Sequence, residues 1–169
     1  KLHLRVLIKL YCVFNKRRLD TRTAKLKRGI TKVKDPGSAL THFIAMILAI
    51  IAAIPVLSKA GHDSGHMRIS ALAIFILSMI GLYAASTIYH TLDISPKINK
   101  LLRKIDHMMI FILIAGTYTP VCMIVLGDKT GWTMLTLVWG IAIVGILINA
   151  LWITCPKWFS SLIYIAMGW

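Results

Sequence analysis

The 169-residue sequence is 57% hydrophobic and carries 20 Lys and Arg residues against six Asp and Glu, which gives a net charge of +14. Charge alone would fit a nucleic-acid-binding protein, but a soluble protein could not cover this much apolar surface with so few polar residues. The composition therefore excludes nucleic acid as the expected partner and indicates a protein embedded in a lipid bilayer.

The chain divides into a basic N-terminal segment, residues 1–34, and an apolar domain, residues 35–169. Residues 2–14 mix apolar and basic side chains and are predicted to lie on the membrane surface. Residues 16–34 are predicted to form a solvated tail, which its positive charge holds near anionic lipid.

Four apolar runs without any charged residue follow, at residues 39–57, 69–89, 108–126 and 132–153. Each has about the 20 residues that a helix needs to cross the hydrocarbon core. Backbone groups in lipid must pair within their own segment, so each run is predicted to be a helix. Residues 158–169 begin a fifth run. The predicted fold class is an all-α polytopic transmembrane bundle with four complete helices and the start of a fifth.

The segments between the runs have distinct signals. Residues 61–65 are predicted to be a polar loop, and residues 127–131 a tight turn. Ser95 and Pro96 have the residue types of a helix N-cap and first position. Residues 96–105 then repeat apolar side chains at helical spacing, with lysines off that stripe. They are predicted to form a short helix on the inner membrane surface, its lysines among headgroups. Within the third run, Pro120 predicts a bend.

The distribution of basic residues predicts which side of the membrane each end occupies. With the N-terminus in the cytoplasm, 17 of the 20 Lys and Arg residues lie on the inner side and three on the outer side. Cytoplasmic segments carry such an excess of Lys and Arg. A cytoplasmic N-terminus is therefore expected.

In this orientation, polar residues of three helices share one depth at the inner face. His42 lies near the start of the first run, His90 follows the second, and Asp106 precedes the third. Ser86 lies one helical turn before His90 and on the same face. Imidazole is a common zinc ligand, and a carboxylate can position a water or take its proton. Alone, each residue also fits a structural role, such as an interfacial histidine or an aspartate at a helix N-terminus.

Four motifs follow one another along the chain: Asp35-Pro-Gly-Ser38-Ala-Leu-Thr-His42, Ser86-Thr-Ile-Tyr-His90, Asp106-His107 and Gly116-Thr-Tyr-Thr-Pro120. In this order they resemble the motifs of the hemolysin III family, which belongs with the progestin and adipoQ receptors and the adiponectin receptors. Ser38 stands where that family commonly has Asn.

The resemblance implies a seven-helix fold with an internal N-terminus and a zinc ion near the inner face. It implies that His90 is a zinc ligand and that Ser86 and Asp106 act in catalysis through the reacting water. It also implies that His42 supports the site without binding zinc itself. The family's other two zinc ligands form an HxxxH pair on a seventh helix. The 169 residues here would therefore carry a truncated fold and an incomplete zinc site.

Three functions remain open from the sequence. The first is a zinc-dependent hydrolase of lipid amides when the domain is full length, with this 169-residue form inactive. The second is a membrane-permeabilising cytolysin that forms pores, as the family name suggests. The third is a non-catalytic receptor or stress protein. Polar residues gathered at one end favour the hydrolase, since a pore needs polar stripes along whole helices. A bacterial plasma membrane is the expected location.

Overall fold

The computed structural model describes residues 33–63, 65–151 and 157–168. These ranges form five α-helices and contain no strand, which confirms the predicted all-α class. The helices are α1 (Pro36–Asp63), α2 (His66–Thr91), α3 (Pro96–Pro120), α4 (Lys129–Leu151) and α5 (Lys157–Gly168), and a π-helical segment, Val121–Leu126, continues α3. Nearly all of the basic N-terminal segment, including the predicted surface stretch at residues 2–14, lies outside the described residues.

Four of these helices are long and apolar enough to cross a membrane. The shortest, α4, has 23 residues and is about 35 Å long at 1.5 Å per residue, which exceeds the roughly 30 Å of the hydrocarbon core. Protein covers little of their apolar surface, since the buried share of the most apolar part ranges from 6% in α1 to 28% in the third crossing. Lipid must cover the rest, so the four predicted transmembrane helices are confirmed.

The helices pack in chain order, α1 on α2, α2 on α3 and α3 on α4, and α5 contacts α3 and α4. Consecutive helices run in opposite directions, so the start of α1, the end of α2 and the start of α3 lie at one end of the bundle. We call this the histidine end and define it by Asp35, His42 and His90.

The core forms where α3 meets its neighbours. Phe111 is fully buried and clusters with buried apolar residues of α3, α4 and α5, namely Ala115, Val138, Ala142 and Met167. Two glycines allow the close approach. A Cβ atom on Gly145 of α4 would lie 2.7 Å from Cζ of Phe111, and one on Gly116 of α3 would lie 2.8 Å from Cβ of Ser78 in α2. Small residues commonly allow such packing between membrane helices.

The start of α3 corrects one prediction. The Ser95 hydroxyl accepts a hydrogen bond from the Ile98 amide at 3.3 Å, and Pro96 is the first residue of the helix, so the predicted cap is confirmed. The separate surface helix at residues 96–105 is wrong, because α3 continues without a break to Pro120. Neither Gly nor Pro occurs between Pro96 and Gly116, so nothing interrupts the hydrogen-bond ladder.

The polar loop predicted at residues 61–65 is shorter in the structure. Helix α1 continues to Asp63, and α2 begins at His66. Gly61 has the weakest helix propensity of the residues in the last turn of α1. A glycine costs about 1 kcal/mol in a helix interior, which is too little to end a helix of 28 residues.

Pro120 marks a change in the backbone of the third membrane crossing. Proline has no amide hydrogen and cannot donate to the carbonyl one turn before it. The α-helical pattern ends there, and the π-helical segment Val121–Leu126 follows. Gly127, with a φ of 57°, then turns the chain toward α4, because glycine adopts this left-handed conformation without steric cost.

Candidate functional site at the histidine end

Two backbone hydrogen bonds tie the residues before α1 to the last turn of α2. The Asp35 amide donates to the His90 carbonyl at 2.9 Å, and the Lys34 amide donates to the Thr91 carbonyl at 3.4 Å. The Lys34 Nζ atom lies 3.6 Å from the centre of the Tyr89 ring, a cation–π contact. These contacts hold Asp35 against α2 before the first turn of α1 begins.

The Asp35 carboxylate bridges α1 and α2. The Ser38 hydroxyl donates to Oδ2 of Asp35 at 2.6 Å, and the same oxygen lies 3.3 Å from Nδ1 of His90. The hydrogen bond from Ser38 is the largest cause of a lowered pKa at Asp35, and the nearby His90 lowers this pKa further. A carboxyl group with an ordinary pKa of 3.8 that is lowered further is ionised at neutral pH. Asp35 therefore presents a negative charge to His90.

His42 completes the cluster from about two turns after Asp35, further along α1. Its ring stacks against that of His90 with the centroids 5.7 Å apart, and the edge of the Tyr83 ring approaches it at 5.9 Å. Within the described part of the chain, the buried Nδ1 atom of His42 has no hydrogen-bond partner. Buried polar atoms are rarely left unpaired, so this nitrogen is available to a polar group that enters the cluster.

The other two predicted site residues have a less direct place. Ser86 is buried in α2, one turn before His90. Asp106 is half-buried in α3 and, across the ranges that the structure describes, forms no hydrogen bond or ion pair with Ser86 or His90. The catalytic roles of Ser86 and Asp106 stay predictions.

Sequence reasoning gave no role to Asp35, which the structure places in contact with His90. A signal was present, because Asp35 precedes the first membrane helix directly and His90 ends the second. Both residues therefore lie at the same depth. The second signal is spacing, since Ser38 follows Asp35 by three residues, the separation at which a side chain in the first turn of a helix reaches its N-cap.

The described residues fit a zinc ion only in part. In residues 33–63, 65–151 and 157–168, no three His, Cys, Asp or Glu side chains come together as a metal-binding group. Zinc sites use three or four protein ligands. The contact between Asp35 and Nδ1 of His90 matches the carboxylate that commonly stands behind a zinc-binding histidine. His90 thus has the surroundings of one zinc ligand, and the cluster does not form a closed set of ligands.

Residues 30–169 match the family model described as Haemolysin-III related. The chain belongs to the hemolysin III family. This assignment agrees with the order of the four motifs and confirms the resemblance found in the sequence.

Two curated relatives of this hemolysin III family member come from Bacillus. The chain is 38% identical to "Hemolysin-3" of Bacillus cereus over 148 aligned residues. The aligned region covers 87% of this chain and 67% of that protein. The chain is 35% identical over 133 residues to "Hemolysin-3 homolog" of Bacillus subtilis (strain 168), which covers 79% of this chain and 62% of that protein. The chain thus spans about two thirds of the length of these relatives. No solved structure gives a significant match to it.

Proposed function

We propose that this hemolysin III family member is a zinc-dependent hydrolase of lipid amides, with its reaction centre at the histidine end of the bundle. The observation that carries the proposal is the Asp35–His90 pair, packed beside a histidine whose buried Nδ1 atom has no partner among the described residues. Perturbed and incompletely paired polar groups gather at functional sites more often than elsewhere.

Each residue of the site would have a separate role in the reaction. His90 would supply one ligand through Nε2, and residues outside the described ranges would supply the others. A zinc ion supplies Lewis acidity, which makes water a better nucleophile at neutral pH and polarises a carbonyl. Asp106 would accept a proton from the attacking water, and the Ser86 hydroxyl would hold that water by a hydrogen bond. His42 would offer its unpaired nitrogen to the polar part of the substrate.

The surroundings of the site support a lipid as substrate. Leu40, Phe43 and Ile44 flank His42 on α1, and each is roughly half exposed, with relative exposures of 60%, 46% and 48%. In a bilayer these side chains meet acyl chains. A lipid amide whose tail stays in the membrane can therefore bring its polar end to the histidine end without leaving the bilayer.

The test is the zinc content of the full-length protein, purified with and without the substitution His90→Ala. About one zinc per chain is expected in the unchanged protein, and a loss of most of it in the variant, because a missing ligand cannot be replaced in a three-ligand site. His66→Ala, at the opposite end of α2, is the matched control and keeps its zinc. Equal zinc in all three proteins would refute the proposal.

The name of the Bacillus cereus relative, Hemolysin-3, favours pore formation as the second candidate. A pore needs polar groups along its length, and the two threonine hydroxyls in the middle of the third crossing are already bonded within the helix. Thr117 donates to the Ile114 carbonyl at 2.6 Å, and Thr119 donates to the Ala115 carbonyl at 2.9 Å. Liposome leakage that persists in His90→Ala, without cleavage of ceramide-like lipids, would favour the pore over the hydrolase.

We also propose that the histidine end faces the cytoplasm, as the excess of basic residues on that side predicts. Its test uses a chain in which the three native cysteines are replaced by serine and one new cysteine is introduced. In spheroplasts, a membrane-impermeant thiol reagent is expected to label Lys59→Cys and to leave Lys97→Cys unlabelled until the membrane is opened. Labelling of Lys97→Cys alone in sealed spheroplasts would reverse the orientation.

A further inference from the structure

The geometry points to Asp35 as a positioning residue for His90. We infer that the Asp35 carboxylate holds the proton of the imidazole on Nδ1, so that Nε2 keeps its lone pair and turns away from Asp35. The value of this arrangement for zinc binding rests on the function proposed above. The arrangement itself depends only on contacts within this chain.

Three contacts fix the carboxylate independently of His90's side chain. The Asp35 amide is bonded to the His90 carbonyl, which sets the distance between the two residues. The Asp35 carbonyl accepts the Ala39 amide at 2.9 Å, which places Asp35 at the start of α1. The Ser38 hydroxyl bonds to Oδ2 and orients the carboxylate. The oxygen that faces His90 is therefore held by the backbone and by a neighbour.

His90 is restrained as well. Its ring contacts two others, that of His42, stacked with the centroids 5.7 Å apart, and that of Tyr89, whose centre is 4.9 Å away at an interplanar angle of 65°. Rotation of the imidazole by half a turn, which would turn Nδ1 away from Asp35, therefore has to occur against both neighbouring rings. Of the two imidazole nitrogens, the one 3.3 Å from the carboxylate oxygen is favoured to carry the hydrogen, because a carboxylate only accepts hydrogen bonds. The other nitrogen then stays free to bind a metal or to accept a proton.

The simpler role for Asp35 is a helix cap, because aspartate is a preferred residue at the start of a helix and its charge favours the helix dipole. Substitutions separate the two roles. Serine caps helices about as well as aspartate, but its side chain is too short to reach His90 and carries no charge. Asp35→Ser thus keeps the cap and removes the partner of Nδ1. Ser38→Ala is a milder variant that loosens Asp35 but keeps the pair.

The experiment measures the tautomer of His90 by the ¹⁵N chemical shifts of its two ring nitrogens, in metal-free protein labelled at histidine and held in lipid nanodiscs. His90→Ala identifies the signals. The unchanged protein is expected to carry the proton on Nδ1. Asp35→Ser is expected to lower the ratio of Nδ1–H to Nε2–H roughly tenfold, as the loss of a hydrogen bond to a charged group predicts. Ser38→Ala is expected to give a smaller change in the same direction.

Zinc affinity is the second measurement, made on the full-length protein. Loss of a carboxylate behind a ligating histidine lowers metal affinity roughly 10–100-fold, so Asp35→Ser is expected to fall in that range with an unchanged thermal midpoint. An unchanged tautomer ratio in Asp35→Ser would overturn the positioning role, as would Nε2–H as the main form in the unchanged protein. A metal-free protein with the expected tautomers that never binds zinc would refute the hydrolase and leave the role of Asp35 intact.

Discussion

Replacing Phe111 with alanine is expected to lower the free energy of unfolding of the bundle by about 3–5 kcal/mol. Phe111 has no exposed surface and is the largest of the fully buried side chains in the described residues. Its ring centre lies 4.6 Å from that of Tyr164 in α5, and it also packs against α4 through Gly145. Truncation of the side chain would leave a cavity where α3, α4 and α5 meet. The three helices can move in only partly to fill it, so most of the lost packing energy is not recovered.

Reversible unfolding in mixed micelles, followed by far-UV circular dichroism, measures this loss. Leu147→Ala is the matched control, because Leu147 is 52% exposed on α4 and faces lipid that can fill the space left by its side chain. Its expected cost is below about 1 kcal/mol. Equal losses from the two substitutions would show that Phe111 does not organise the core.

The second large effect is expected from Gly145→Val. A Cβ atom at position 145 would approach three ring atoms of Phe111 within 2.9 Å, and valine adds two methyl groups beyond it. Because the Phe111 ring is enclosed on all sides, α4 has to move away from α3. Overpacking of this kind costs about 3 kcal/mol, at the upper end of its usual range.

Gly140→Val provides the comparison within the same helix, since a Cβ atom at position 140 would meet nothing within 4 Å. It is expected to change the unfolding free energy by no more than about 0.5 kcal/mol. The double variant Phe111→Ala with Gly145→Val is expected to lose less than the sum of the single losses, because the first change makes room for the second. Additive losses would contradict a direct contact between the two residues.

The membrane-spanning helices were predictable because their signal is local. Length and the absence of charge identify residues 39–57 and 69–89 as helices, whatever they pack against, since lipid leaves the backbone no other structure. The helix ends were less predictable. The lysines after Pro96 resemble an interfacial helix, yet the same residues continue α3, because charge pattern sets the position of a helix relative to the membrane and does not end it.

The sequence was enough to predict the membrane depth of the site residues, but not the contacts between their side chains. Helix direction alone places His42, His90 and Asp106 at one end of the bundle. The contact between Asp35 and His90 joins residues far apart in the chain, and it depends on how α1 packs on α2. Sequence periodicity carries no information on that packing. For the same reason, the sequence could not predict that Asp106 forms no bond with Ser86 or His90 in the described ranges.

The unequal lengths of α3 and α4 have a consequence for the choice of membrane. Together with its π-helical segment, the third crossing has 31 residues against 23 in α4, a difference of about 12 Å along the helix axis. A bilayer that matches α4 leaves the first turns of α3, with Lys97 and Lys100, outside the hydrocarbon. A thicker bilayer draws those lysines toward its core, where each charge is costly. Bilayer thickness therefore acts on the end of the bundle that holds His90.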